Sequence, residues 1–96
     1  MSLVSIDAED DAFAYRYDTQ LLLDRRDKNL DESEIARYIT ENIEGNELLA
    51  IGDEETVKIH FHTNEPWKVL EYCAGVGEIY DIVVEDMIRQ SNNLQG

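Results

Sequence analysis

The sequence predicts an α+β domain in which two helices cover one face of a four-stranded antiparallel sheet and leave the other face open. Three observations carry this. Two long stretches alternate apolar and polar residues with the period of a strand, and two others repeat apolar residues with the period of a helix. Turn residues punctuate them in the order strand, helix, strand, strand, helix, strand. That order is the split βαβ, or ferredoxin-like, arrangement, a two-layer sandwich whose first and third strands lie side by side at the centre of the sheet.

The first strand is expected between Ala12 and Leu23. Phe13, Tyr15, Tyr17, Thr19, Leu21 and Leu23 fall on one face, and Ala14, Arg16, Asp18, Gln20 and Leu22 on the other. Asp24 to Asn29 is a charged turn. Asp31 then opens a helix as N-cap, Glu34 completes an acidic capping box, and Leu30 stands where a hydrophobic staple would meet Ile35. Ile35, Ile39 and Ile43, with Tyr38 beside them, form one apolar stripe, and Gly45 is expected to end the helix as a left-handed cap.

Glu47 to Ile51 reads as the second strand, Gly52 to Glu55 as a turn, and Thr56 to Thr63 as the third strand of a hairpin. Pro66 sits in the first turn of the second helix, where its missing N–H was unpaired anyway. Val69, Leu70 and Cys73 supply the buried side of that helix, and Gly75 and Gly77 close it. Glu78 to Val84 is the fourth strand, and Glu85 to about Gln90 a short terminal helix. Residues 12–90 thus make a single domain. Residues 1–11, with four acids between Asp7 and Asp11, read as an acidic linker at the end of a piece cut from a longer protein, and residues 91–96 as a polar tail.

Composition excludes several partners. Eight Lys and Arg stand against 22 Asp and Glu, a net charge of −14. A nucleic-acid binder needs clustered cations for the phosphates, and an anionic membrane surface attracts polybasic segments; neither is found. No apolar stretch approaches the roughly 20 residues of a membrane helix, so no membrane insertion is expected. The single cysteine, Cys73, permits no internal disulfide and reads as a core residue. A cytoplasmic domain is the expectation.

Chemistry is expected at Asp18, His60 and His62. A His-x-His pair on a strand sets both imidazoles on one face, about 6.5–7 Å apart along the chain. Asp18, on the neighbouring central strand, shares that face. Two imidazoles and a carboxylate can fill three positions of a divalent metal such as zinc and leave one open. Without metal the same trio suits proton or phosphoryl handling, with Arg16 and Lys58 available to hold an oxyanion. A plain solvated sheet face is the third reading, and spacing leaves all three open.

The stretch Val57-Lys58-Ile59-His60-Phe61-His62-Thr63-Asn64-Glu65-Pro66 resembles the VKVHVHTNNP segment of the bacterial fatty acid kinase A-subunit family, also described as dihydroxyacetone-kinase-like proteins. Three further stretches fit in the same order. Tyr15 to Gln20 resembles the GYCTEF strand, Gly45 to Leu48 the GDSL turn, and Ile82 to Gln90 the IKIENMREQ end. The resemblance covers about residues 15–90 and implies the middle domain of a multidomain kinase. The parent would phosphorylate a fatty-acid carboxyl presented by a DegV-type carrier, with ATP and Mg²⁺ held in a separate kinase domain. The resemblance also implies dimerisation and a Cys-His-His trio, of which His60 and His62 are the histidines.

The cysteine position of that trio is Asp18 here, which keeps an anionic ligand and removes any thiol nucleophile. The turn is altered to Gly45-Asn46-Glu47, and the end to Glu85-Asp86-Met87. The expected function is therefore a His/His/Asp site, with a metal or phosphoryl role, in a domain inactive by itself. Two rivals stand beside it: a non-catalytic assembly or regulatory module that dimerises through its open sheet face, and a standalone small-ligand sensor.

Overall fold

The computed structural model describes residues 2–6 and 14–92. The chain runs β1 (Ser2–Ile6), β2 (Tyr17–Arg25), α1 (Glu32–Asn42), β3 (Gly45–Gly52), β4 (Thr56–Thr63), α2 (Pro66–Val76), β5 (Gly77–Asp86) and α3 (Met87–Ser91). All strand pairs are antiparallel, in the order β1-β3-β4-β2-β5. Apart from β1 this is the expected two-layer sandwich, with β2 and β4 adjacent at its centre. The four stretches read as strands become β2 to β5.

β1 extends the sheet beyond that expectation, pairing from Ser2 opposite Gly52 to Ile6 opposite Leu48. A five-residue edge strand gives a weak sequence signal, because its order comes from the ladder it joins. The acid run Asp7 to Asp11 lies outside the described residues, as does Phe13, assigned above to the first strand. That strand starts later than its alternation, at Tyr17. Arg16 precedes it and is held from two sides, its N–H donating to Asn64 Oδ1 and its carbonyl accepting from Met87 N–H.

The core lies between the helices and the sheet. Leu21 and Leu23 of β2, Leu48 and Ala50 of β3 and Val57, Ile59 and Phe61 of β4 meet Ile35, Ala36 and Ile39 of α1 and Val69 and Cys73 of α2. All come from the apolar sides of the periodic stretches. Burying each large aliphatic side chain contributes about 1.5–3 kcal/mol. The Asp31 carboxylate accepts from Glu34 N–H, as a cap should. α1 ends differently from the expectation. Its C-cap is Ile43 in an extended conformation, and Gly45 opens β3 without a left-handed φ. Gly45 is needed for close approach instead: a Cβ there would run into the Phe61 ring and the His62 carbonyl on β4.

Left-handed backbone appears at two residues that are not glycine, Glu47 (φ 55°) and Asp81 (φ 50°). Each sits in a bulge. β3 shifts register between Asn46 and Leu49 against β4, and β5 gains one residue where β2 runs from Gln20 to Leu22. Both bulges lie on strands that flank the central pair.

Candidate metal or phosphoryl site on the open sheet face

Because β2 and β4 are paired in register, Asp18 stands directly across from His62 and Gln20 directly across from His60. Directly opposed residues share a face, and here that is the face without helices. The three expected residues come together. One donor atom from each of Asp18, His60 and His62 falls within a 4.8 Å cluster, and all three side chains are half-buried. The His60 and His62 Nε2 atoms are 3.0 Å apart, and Asp18 Oδ1 lies 3.2 Å from His60 Nε2 and 4.0 Å from His62 Nε2.

These contacts constrain the protons. Two facing Nε2 atoms are compatible only if one carries hydrogen. Placing it on His60 lets that N–H point between the Asp18 oxygen and the His62 lone pair, whereas placing it on His62 would aim the His60 lone pair at a carboxylate. Burial pushes the His62 pKa below its ordinary 6.5, with the His60 charge acting the same way; Asp18 and Glu47 oppose it without prevailing. His62 is accordingly neutral at pH 7, with its Nε2 lone pair turned into the cluster.

The donor set fits a divalent cation. Bonds of about 2.0–2.1 Å at a tetrahedral ion place donors about 3.3 Å apart, and the separations of 3.0, 3.2 and 4.0 Å bracket that value. Two neutral imidazoles and one carboxylate suit zinc and other borderline ions.

Of the two cations expected to hold an oxyanion, Arg16 is engaged elsewhere. Its Nε pairs with Asp86 at 2.8 Å, and its guanidinium lies 5.9 Å from the centre of the Tyr17 ring. Asp86 also caps α3 by accepting from the N–H groups of Ile88 and Arg89. Lys58 does lie on the open face, lining a small cavity of about 160 Å³ with Gln20, Leu22 and Asp81. A larger concavity, about 890 Å³, is at the other end of the sheet, around Arg25, Lys28, Glu32 and Asp53. There the Arg25 guanidinium donates to the carbonyls of Leu30 and Asp53 and ties two turns together.

Three further residues, not among the expected site residues, stand near the trio. Gln20 Nε2 donates to both oxygens of Asp18, at 3.3 Å each. Its signal was present, since strand alternation puts residue 20 beside residue 18. Glu85 faces Asp18 across the other ladder, and Glu47 acts on His62 from its bulge. Neither placement can be had from spacing, because both depend on the neighbouring strands.

Around the trio the open face carries exposed apolar side chains, with Tyr80 opposite Leu22 and Val83 opposite Gln20. Cys73 is fully buried on the far side of the sheet, its thiol pushed up to about 12 by burial. It belongs to the core, as its sequence context indicates.

A family model describing the middle domain of fatty acid kinase A-subunit-like proteins matches residues 14–94. Uncharacterized proteins of Staphylococcus aureus strains USA300, NCTC 8325 and N315 are 35% identical over 85 residues, covering 88% of this chain. The chain spans about 15% of the length of these curated relatives.

Proposed function

The chain belongs to the fatty acid kinase A-subunit-like family, as its middle domain, and we propose that it serves there as the cation-binding part of an ATP-dependent phosphotransferase. The observation that supports this reading is the convergence of three ligand atoms, from Asp18, His60 and His62, within 4.8 Å on the open sheet face. Asp18, His60 and His62 would hold the ion, zinc by preference. A bound cation there supplies Lewis-acid polarisation or charge neutralisation for a phosphoryl or carboxyl oxygen. The chain's own residues bind and orient: Asp18 provides the anionic ligand, and His62 offers a lone pair at neutral pH. Lys58 adds a positive charge beside them for an oxyanion.

ATP and Mg²⁺ would be bound by another domain of the parent protein, and the acyl group brought by a DegV-type carrier. The isolated domain is expected to lack kinase activity. No helix among the described residues is long and apolar enough to cross a membrane.

A calorimetric Zn²⁺ titration of wild type beside His60→Ala tests the cation. Stoichiometric binding, micromolar or tighter and lost in the variant, is expected. Equal heats from the two proteins would remove the metal and leave proton or phosphoryl handling.

A second reading, a homodimeric assembly module, is favoured by exposed Tyr80 and Val83, which β5 presents on the open sheet face. Sedimentation at high concentration checks it: a strictly monomeric chain counts against assembly through this face.

A further inference from the structure

We propose that Gln20 is the positioning residue of this site: its side-chain amide holds the Asp18 carboxylate in the one orientation that presents Oδ1 to the His60 ring. The inference deepens the cation reading, and its first test stands independently of any metal.

The geometry is specific. Gln20 follows Asp18 by two residues on β2, so both side chains rise from the same face. Its Nε2 sits 3.3 Å from each Asp18 oxygen. An amide nitrogen only donates, so both Asp18 oxygens accept from this one group. One of those two oxygens, Oδ1, also lies 3.2 Å from His60 Nε2. Asp18 is thus gripped from along its own strand and turned towards the next.

Glu85 makes that grip necessary. It stands directly across from Asp18 on β5, placing a like charge on the side away from the histidines. An aspartate between a glutamate and two imidazoles has two χ angles to choose among. The Gln20 amide removes that freedom at the atom that matters, which is how an outer hydrogen bond orients a metal-ligating carboxylate. In the metal-free protein Asp18 also sets the His60 proton at Nε2, where it satisfies the Asp18 oxygen and the His62 lone pair together; an entering cation would displace that proton and take the Nε2 lone pair.

Gln20→Met keeps length and removes the donor on a half-exposed face, where folding should survive. In the metal-free protein at pH 8, long-range ¹⁵N spectra of the imidazoles read the tautomers. Wild type is expected to hold His60 as Nε2–H, and Gln20→Met to move it towards Nδ1–H. Asp18→Asn should give a similar shift, and the double variant no more than Asp18→Asn alone. An unchanged His60 signal in Gln20→Met, or shifts that simply add, would overturn the proposal.

The second arm uses Co²⁺ alone as probe. Gln20→Met should bind it about 10–100-fold more weakly, with an altered visible band and an unchanged melting temperature of the metal-free protein. Wild-type affinity and spectrum in Gln20→Met would again overturn the role. Should neither wild type nor His60→Ala bind Co²⁺, the cation reading falls, and the nitrogen spectra still decide whether Gln20 positions Asp18.

Discussion

Asp18 stands directly across the ladder from His62, yet its carboxylate oxygen is nearer the ring of His60, 3.2 Å against 4.0 Å. The side chain therefore leans along the strand, towards the side on which Gln20 grips it. That diagonal closes three ligands from two strands into one cluster.

The anionic ligand should set metal preference. Replacing Asp18 with Cys exchanges a hard oxygen for a soft thiolate without altering charge count at the bound ion. Asp18→Cys is expected to favour Cd²⁺ over Mn²⁺ more than wild type does, and to give Co²⁺ a thiolate charge-transfer band. Competition titrations check this; an unchanged Cd²⁺/Mn²⁺ ratio would place residue 18 outside the coordination set.

The His62 shift makes a pH prediction. Burial holds its folded pKa below 6.5, while Asp18 and Glu47 pull the other way. The unfolded chain therefore binds the proton first as pH falls, so this group's contribution to stability is present above pH 6.5 and lost on descending below it. In metal-free protein, the imidazole titration of His62 should fall below 6.5 in wild type and lower still in Asp18→Asn. Going from pH 7.5 to 5.5 should cost wild type more melting temperature than His62→Asn. A His62 midpoint at or above 6.5 would contradict the assignment.

Backbone strain at the two bulges is also measurable. A side chain in the left-handed region costs roughly 1–2 kcal/mol, and glycine removes that cost at about 0.5–1 kcal/mol of unfolded-state entropy. Glu47→Gly and Asp81→Gly should each be neutral or stabilising, by up to about 1 kcal/mol. For a domain of this size that is a rise in melting temperature of about 4–8 °C. Marked loss of stability in either variant would mean that its carboxylate makes a contact worth more than the strain.

The Cys73 thiol, buried with its pKa pushed up to about 12, should resist thiol reagents in the folded protein. Ellman's reagent at pH 8 is expected to react only as fast as the domain unfolds and at once in denaturant. Fast labelling of native protein would show that α2 opens from the sheet.

The central strands, both long helices and the core were legible because each rests on a period. Leu21 and Leu23, Ile35 and Ile39, and Val57, Ile59 and Phe61 are spaced so that one regular backbone puts them on one side. The same periodicity put His60 and His62 on the opposite face, and the element order brought Asp18 beside them. Sequence alone therefore determined the sandwich and the membership of the trio.

What only the tertiary structure decided is whatever two neighbouring strands settle between them. β1 exists through its ladder with β3, and Glu47 takes a left-handed φ because β3 bulges against β4. Arg16 was drawn to Asp86 and away from the trio, and Gly45 proved to be spacing for the Phe61 ring rather than a helix cap. The physical reason is common to all four. Local pattern reports which side of an element is apolar, whereas register, bulges and ion pairing depend on residues distant in the chain that meet only once the sheet has formed.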